Sequence, residues 1–160
     1  MATNKQKTAA AAVLATAIAI PAEGLRQFTY RDVGQGILTS CYGHTGADVK
    51  KGIKYSLAQC DAWLTADMKK AIATVDRCHP GLPVEVLAAF SDAVFNMGPT
   101  IACSKERSTA ARYLYAGRLI DGCNQLPRWS RASVLGVMVT LPGLVKRRAR
   151  EQELCLRGAV

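Results

Sequence analysis

Six cysteines, at positions 41, 60, 78, 103, 123 and 155, run through the chain at wide intervals, and they limit its fold more than any other feature. No Cys-x2-Cys pair occurs and only two histidines are present, which argues against a zinc site. An even, dispersed set of this kind reads as three disulfides formed in an oxidising compartment. Several pairings are open to six cysteines, and the sequence alone does not choose among them.

The 160 residues are 49% hydrophobic and 6% aromatic, enough to bury the core of one domain. Alanine supplies much of the apolar fraction and favours helix. A net charge of +9 fits either a solvated basic surface or a polyanionic partner: nucleic acid, an anionic membrane, or a cell wall carrying carboxylates and phosphates. No zinc-finger, P-loop or RNA-binding motif is present, and the few aromatic residues form no stacking platform, so no nucleic-acid partner is expected.

Residues 1–7 form a small basic leader, and Thr8 to Ala22 then carry no charge. A positive leader, a short apolar stretch and small residues at its end have the shape of an export signal. Ala15-Thr16-Ala17 and Ala17-Ile18-Ala19 both look like cleavage sites. Cleavage there, however, would leave Glu23 only a few residues from a new N-terminus and remove the helix that would hold it. The run is also Ala-rich and shorter than the roughly 20 strongly apolar residues of a firm span, so its hold on a bilayer should be weak.

After it, Phe28 to Tyr42 mixes aromatic, Thr and Ile residues with Gly34 and Gly36 and reads as short strands and tight turns. Ser56-Leu57-Ala58-Gln59 is a capping-box pattern opening a helix to about Arg77, with Leu57, Cys60, Leu64, Ala71, Ile72 and Val75 on its apolar side. His79-Pro80-Gly81-Leu82-Pro83 stops it. Helices are then expected at Val84 to Met97, Ser108 to Ala116, near Leu119 to Leu126, and from about Leu144 to Leu156, with residues 130–142 ambiguous. The fold class expected is α+β: a small sheet lobe (about 23–60), a bridging helix (about 57–77) and a helical lobe (about 83–157), with a cleft between the lobes.

The chemistry concentrates early. Glu23 and Asp32 are followed by Thr39 and then by Cys41-Tyr42-Gly43-His44. Two carboxylates and a hydroxyl are what cutting a glycosidic bond requires: one carboxylic acid protonates the leaving oxygen, and the other carboxylate serves the attacking water or the developing positive charge. No serine or cysteine nucleophile constellation appears beside them.

Glu23-Gly24-Leu25-Arg26, eight residues between Glu23 and Asp32, then Thr39 and Gly43-His44, resemble the lysozymes of tailed phages, the T-even type of glycoside hydrolase family 24. The resemblance covers about residues 22–157 and implies a lysozyme-like fold. It implies a muramidase that cuts the β-1,4 bond between N-acetylmuramic acid and N-acetylglucosamine in peptidoglycan, with no cofactor and no metal. An inverting mechanism follows from the same likeness, with Glu23 as acid and Asp32 and Thr39 serving the water. In the family five residues separate the Asp from the Thr; here six do, so a one-residue insertion is expected in the turn between them.

By the same resemblance, Asn96, Phe95, Gly43 and Ser108 line the sugar site. His44 pairs with Asp67 of the bridging helix, and Arg147, within Gly143-Leu144-Val145-Lys146-Arg147-Arg148, faces the acid. The disulfides implied are Cys41–Cys60, Cys78–Cys103 and Cys123–Cys155. The apolar run resembles the signal-arrest-release segments of phage endolysins, which insert uncleaved in the inner membrane and then slip into the periplasm. The chain would then be a monomer whose partners are peptidoglycan and, transiently, the inner membrane through residues 8–22. Two rivals stand beside this reading: a lyase that cuts the same bond without water, and a non-enzymatic basic protein that acts on membranes.

Overall fold

In a computed structural model describing residues 3–32 and 36–160, the chain begins with helix α1, Asn4–Glu23. Thr3 caps it reciprocally with Gln6: each side chain bonds the other residue's backbone N–H, at 3.3 and 2.8 Å. The uncharged run thus forms a helix whose Ala11, Ala15, Ile18 and Ala19 are buried. Small side chains on that face let α1 lie close against its neighbours. Pro21 lacks the donor that would continue the ladder, and Gly24, at φ 69°, ends the helix immediately after Glu23. No described helix is long and apolar enough to cross a membrane.

Strands β1 (Arg26–Arg31), β2 (Leu38–Cys41) and β3 (His44–Thr45) form an antiparallel sheet in the order β1-β2-β3. Tyr30 opposes Thr39, Arg31 opposes Leu38, and Ser40 opposes His44; the register shifts between Arg26 and Tyr30. The outer edge of β1 is covered by residues 53–55: Thr29 donates to the Ile53 carbonyl at 3.1 Å, and Tyr55 to that of Gln27 at 2.9 Å. The one-residue insertion was expected in the turn between Asp32 and Thr39, of which residues 33–35 lie outside the described residues.

Helix α2, Leu57–Cys78, is capped by Ser56, whose hydroxyl accepts from the Gln59 N–H. At about 1.5 Å per residue it is long enough to join two lobes. Its inner face carries Cys60, Leu64, Met68, Ala71, Ile72 and Val75. Leu57, expected on that face, lies half exposed instead, in the first turn of the helix.

Helix α3, Val84–Met97, is the centre of the larger lobe: every residue from Val86 to Val94 is buried, as a helix packed on several sides requires. It packs against α1, α2 and the last helix, α7 (Pro142–Gly158). Between them lie the short helices α4 (Thr100–Cys103), α5 (Thr109–Tyr115) and α6 (Leu119–Cys123) and a 3-10 turn at Leu126–Trp129. The ambiguous stretch is a β-hairpin, β4 (Arg131–Val134) and β5 (Val137–Thr140), turning at Leu135-Gly136. Disulfides Cys41–Cys60, Cys78–Cys103 and Cys123–Cys155 tie β2 to α2, α2 to α4, and α6 to α7.

Candidate active site

A cleft of about 540 Å³ runs between the sheet lobe and the helical lobe. Glu23, Asp32, Thr39, Gly43, Phe95 and Asn96 all line it. Glu23 reaches it as the last residue of α1, so its position is fixed by the packing of the whole helix. One carboxylate oxygen, Oε1, accepts from Nη1 of Arg147 on α7. The other faces Gly43, where a Cβ would stand only 3.1 Å from Oε2, on a backbone at φ +80°. Only glycine meets both conditions.

Arg147 is itself held in place. Its Nη2 and Nε donate to the two carboxylate oxygens of Asp92 on α3, at 2.7 and 2.8 Å. Asp92 is fully buried, and so is the neighbouring pair Arg148 and Glu151, 2.5 Å apart. Arg148 also donates to Oδ1 of Asn96 at 3.1 Å. That fixes the Asn96 amide with its oxygen inward, leaving its NH₂ as donor for the cleft. Ion pairing with Asp92 and Glu23 outweighs desolvation and raises the Arg147 pKa further, so it is a permanent cation. Burial lowers the Arg148 pKa. Burial, reinforced by Asp92, raises that of Glu151 well above the usual carboxylate range despite both arginines.

Asp32 stands just past β1, its N–H donating to the Ile37 carbonyl at 2.9 Å and its own carbonyl accepting from Gly36 at 2.8 Å. Opposite, the Thr39 hydroxyl donates to the Ile37 carbonyl at 3.1 Å. With its one proton engaged, the oxygen keeps lone pairs that can accept from a water. Tyr30, cross-strand from Thr39, also lines the cleft; burial raises its pKa.

The phage lysozyme family model matches residues 21–151. The chain belongs to the phage lysozyme family. Among its relatives, the SAR-endolysin of Bacteriophage PS119 is 34% identical over 137 residues, covering 85% of this chain and 77% of that protein. The active form of P1 phage endolysin Lyz superposes with a TM-score of 0.77 at 25% identity, over 92% of this chain and 85% of that one. The muramidase domain of SpmX from Asticaccaulis excentricus gives 0.75 at 26% identity, over 92% and 95%. The two lobes, the joining helix and the cleft are therefore a lysozyme-like fold.

His44 bridges two carboxylates. Its Nδ1 lies 2.5 Å from Asp67 and its Nε2 3.1 Å from Asp48, while its ring stacks on Trp63 at 4.2 Å. Asp67 is the partner expected; Asp48 and Trp63 were not anticipated. The bond to His44 lowers the pKa of Asp48. Ser108 corrects an expectation. It is fully buried, accepts from the Ala111 N–H and donates to the Ile101 carbonyl at 2.6 Å, so it caps α5 and is not among the residues lining the cleft. Asp92 and Glu151 were missed altogether. The signal for Asp92 was available: a carboxylate in the middle of an apolar helix demands a buried cation. Among the described residues no cluster of His, Cys, Asp or Glu is arranged to hold a metal.

Proposed function

We propose that the chain hydrolyses the β-1,4 bond between N-acetylmuramic acid and N-acetylglucosamine, with Glu23 as general acid. Peptidoglycan lysis follows from membership of the phage lysozyme family; the bond cut and the residue roles go further. The observation that supports them is the common cleft lined by Glu23, Asp32 and Thr39, with Arg147 at the back of Glu23. Glu23 would protonate the departing oxygen. The carboxylate left behind would be balanced by Arg147, already within bonding reach. Asp32 and the Thr39 oxygen would hold a water for attack on the opposite face of the sugar, giving inversion. Phe95 offers an apolar wall and Asn96 an amide donor to the sugar.

The same reading covers the start of the chain. Residues 8–22 would first tether the protein in the inner membrane as a signal-arrest-release segment, then leave it for the periplasm as α1. A helix cannot lie in a bilayer and in the core at once, so release and the arrival of Glu23 in the cleft would be one event. The names of its SAR-endolysin relatives support this, as does the small, weakly anchoring face of α1.

Glu23→Gln tests the enzyme reading on outer-membrane-permeabilised cells. Loss of a general acid lowers turnover about 10²–10⁴-fold, while lysis at full rate would point to a membrane-active protein. Mass spectrometry of the released ends separates hydrolysis from a lyase: anhydro sugars would sink the hydrolytic mechanism. A periplasmic protein starting at Ile18 or Ile20 would show a cleaved signal.

A further inference from the structure

The β4–β5 hairpin ends in solvent. Leu135 is 91% exposed, Val137 62%, Met138 51% and Val134 37%. Val134 opposes Val137 on one face of the ribbon, while Met138 opposes Ser133 on the other. Aliphatic surface therefore wraps both faces and the tip. The turn adds an independent observation. Leu135 adopts φ 50°, a left-handed conformation that Asn, Asp or Gly would adopt at lower cost. A bulky aliphatic residue is thus held in a disfavoured conformation where it touches almost nothing of its own protein.

Along the chain on either side of this tip the charge has one sign. From Arg128 to Arg150 there is no acidic residue. Arg147 and Arg148 are buried, whereas Arg128, Arg131, Lys146 and Arg150 are exposed. Arg131 lies at the base of the hairpin, paired with Thr140, and donates to the Met138 carbonyl at 2.9 Å. Apolar residues lead and cations follow. Cations alone would suit any polyanion, the cell wall included, but sugar and peptide chains give four exposed aliphatic side chains nothing to bury against. A second copy of this chain would cover one face of the ribbon, not both. A medium that surrounds the tip while presenting anions at its base is an anionic lipid bilayer.

We propose that the β4–β5 hairpin is a membrane-surface anchor that inserts Leu135, Val137 and Met138 among acyl chains while Arg131 and its exposed neighbours meet anionic headgroups. This holds whatever the role of Glu23, and it uses residues far along the chain from the N-terminal run. It would keep the folded protein at the face of the membrane after α1 has joined the core.

The test is co-sedimentation of the purified full-length chain with phosphatidylethanolamine–phosphatidylglycerol vesicles and with phosphatidylcholine vesicles. Leu135→Asn suits the turn and should keep or raise the thermal midpoint. Combined with Met138→Ser, it should weaken binding to the anionic vesicles at least about tenfold, the effect of roughly two fewer buried methylene groups. Arg131→Gln should weaken it too, and added salt should do the same to the parent. Unaltered binding by the Leu135 and Met138 variants would overturn the proposal, as would equal binding of the parent to phosphatidylcholine. A concentration-dependent dimer that Leu135→Asn dissociates would assign the hairpin to a second copy instead and also overturn it.

Discussion

Asp92 on α3 grips Arg147 on α7 through both carboxylate oxygens, at 2.7 and 2.8 Å, and Arg147 turns its remaining nitrogen to Glu23 at the end of α1. Three helices far apart in sequence thus meet at one guanidinium. Neither Asp92 nor Arg147 is reached by bulk water, so each depends on the other for charge balance. Arg147→Ala should cost about 3–5 kcal/mol, because it strands a buried carboxylate. Arg147→Lys should recover only part of this, since an ammonium cannot make the two-point contact. Urea unfolding at neutral pH measures both.

Glu151 links stability to pH. Burial raises its folded-state pKa above the ordinary 4.5, so the folded protein binds a proton more tightly there than the unfolded chain does. Stability from this group is complete below about 4.5 and is lost as pH rises through the folded pKa. Glu151→Gln should flatten that decline. Unfolding free energies measured from pH 4 upward on both proteins give the comparison, and parallel slopes would contradict the assignment.

Each disulfide closes a loop of moderate length, with partners 19, 25 and 32 residues apart. Chain-entropy reasoning gives roughly 3–4 kcal/mol for each. Replacing Cys78 and Cys103 by serine should therefore lower the unfolding midpoint clearly, and full reduction should lower it further still. Calorimetry with and without reductant checks both.

Helix α1 touches its neighbours through small side chains, so volume added there should be felt at the site. Ala15 is fully buried. Ala15→Leu should cost about 1–3 kcal/mol by overpacking. It should also lower lytic activity, because the strain displaces the helix that carries Glu23. A variant with full activity and reduced stability would show that Glu23 is held by Arg147 alone.

Much of the site was legible in the chain. Glu23, Asp32, Thr39 and Gly43 lie within 21 residues, so local spacing carried their pattern. The boundaries of α2 and α3 followed from Ser56, Pro83 and Gly98, residues whose backbone preferences act locally. The hairpin at 131–140 was not legible, because its aliphatic residues point to solvent and give no core-facing alternation. Ser108 was misread because a helix-capping serine and a sugar-binding serine look alike in sequence.

The sequence by itself determined the long helices, the early cluster of carboxylates and hydroxyl, and the basic balance, all of which depend on residues near one another. Only the tertiary structure decided that Asp92, 55 positions from Arg147, holds that arginine against Glu23, and that the uncharged N-terminal run packs as a core helix. The reason is physical. A buried charge is tolerable only opposite its counter-charge, and that pairing exists only once α1, α3 and α7 have closed around it.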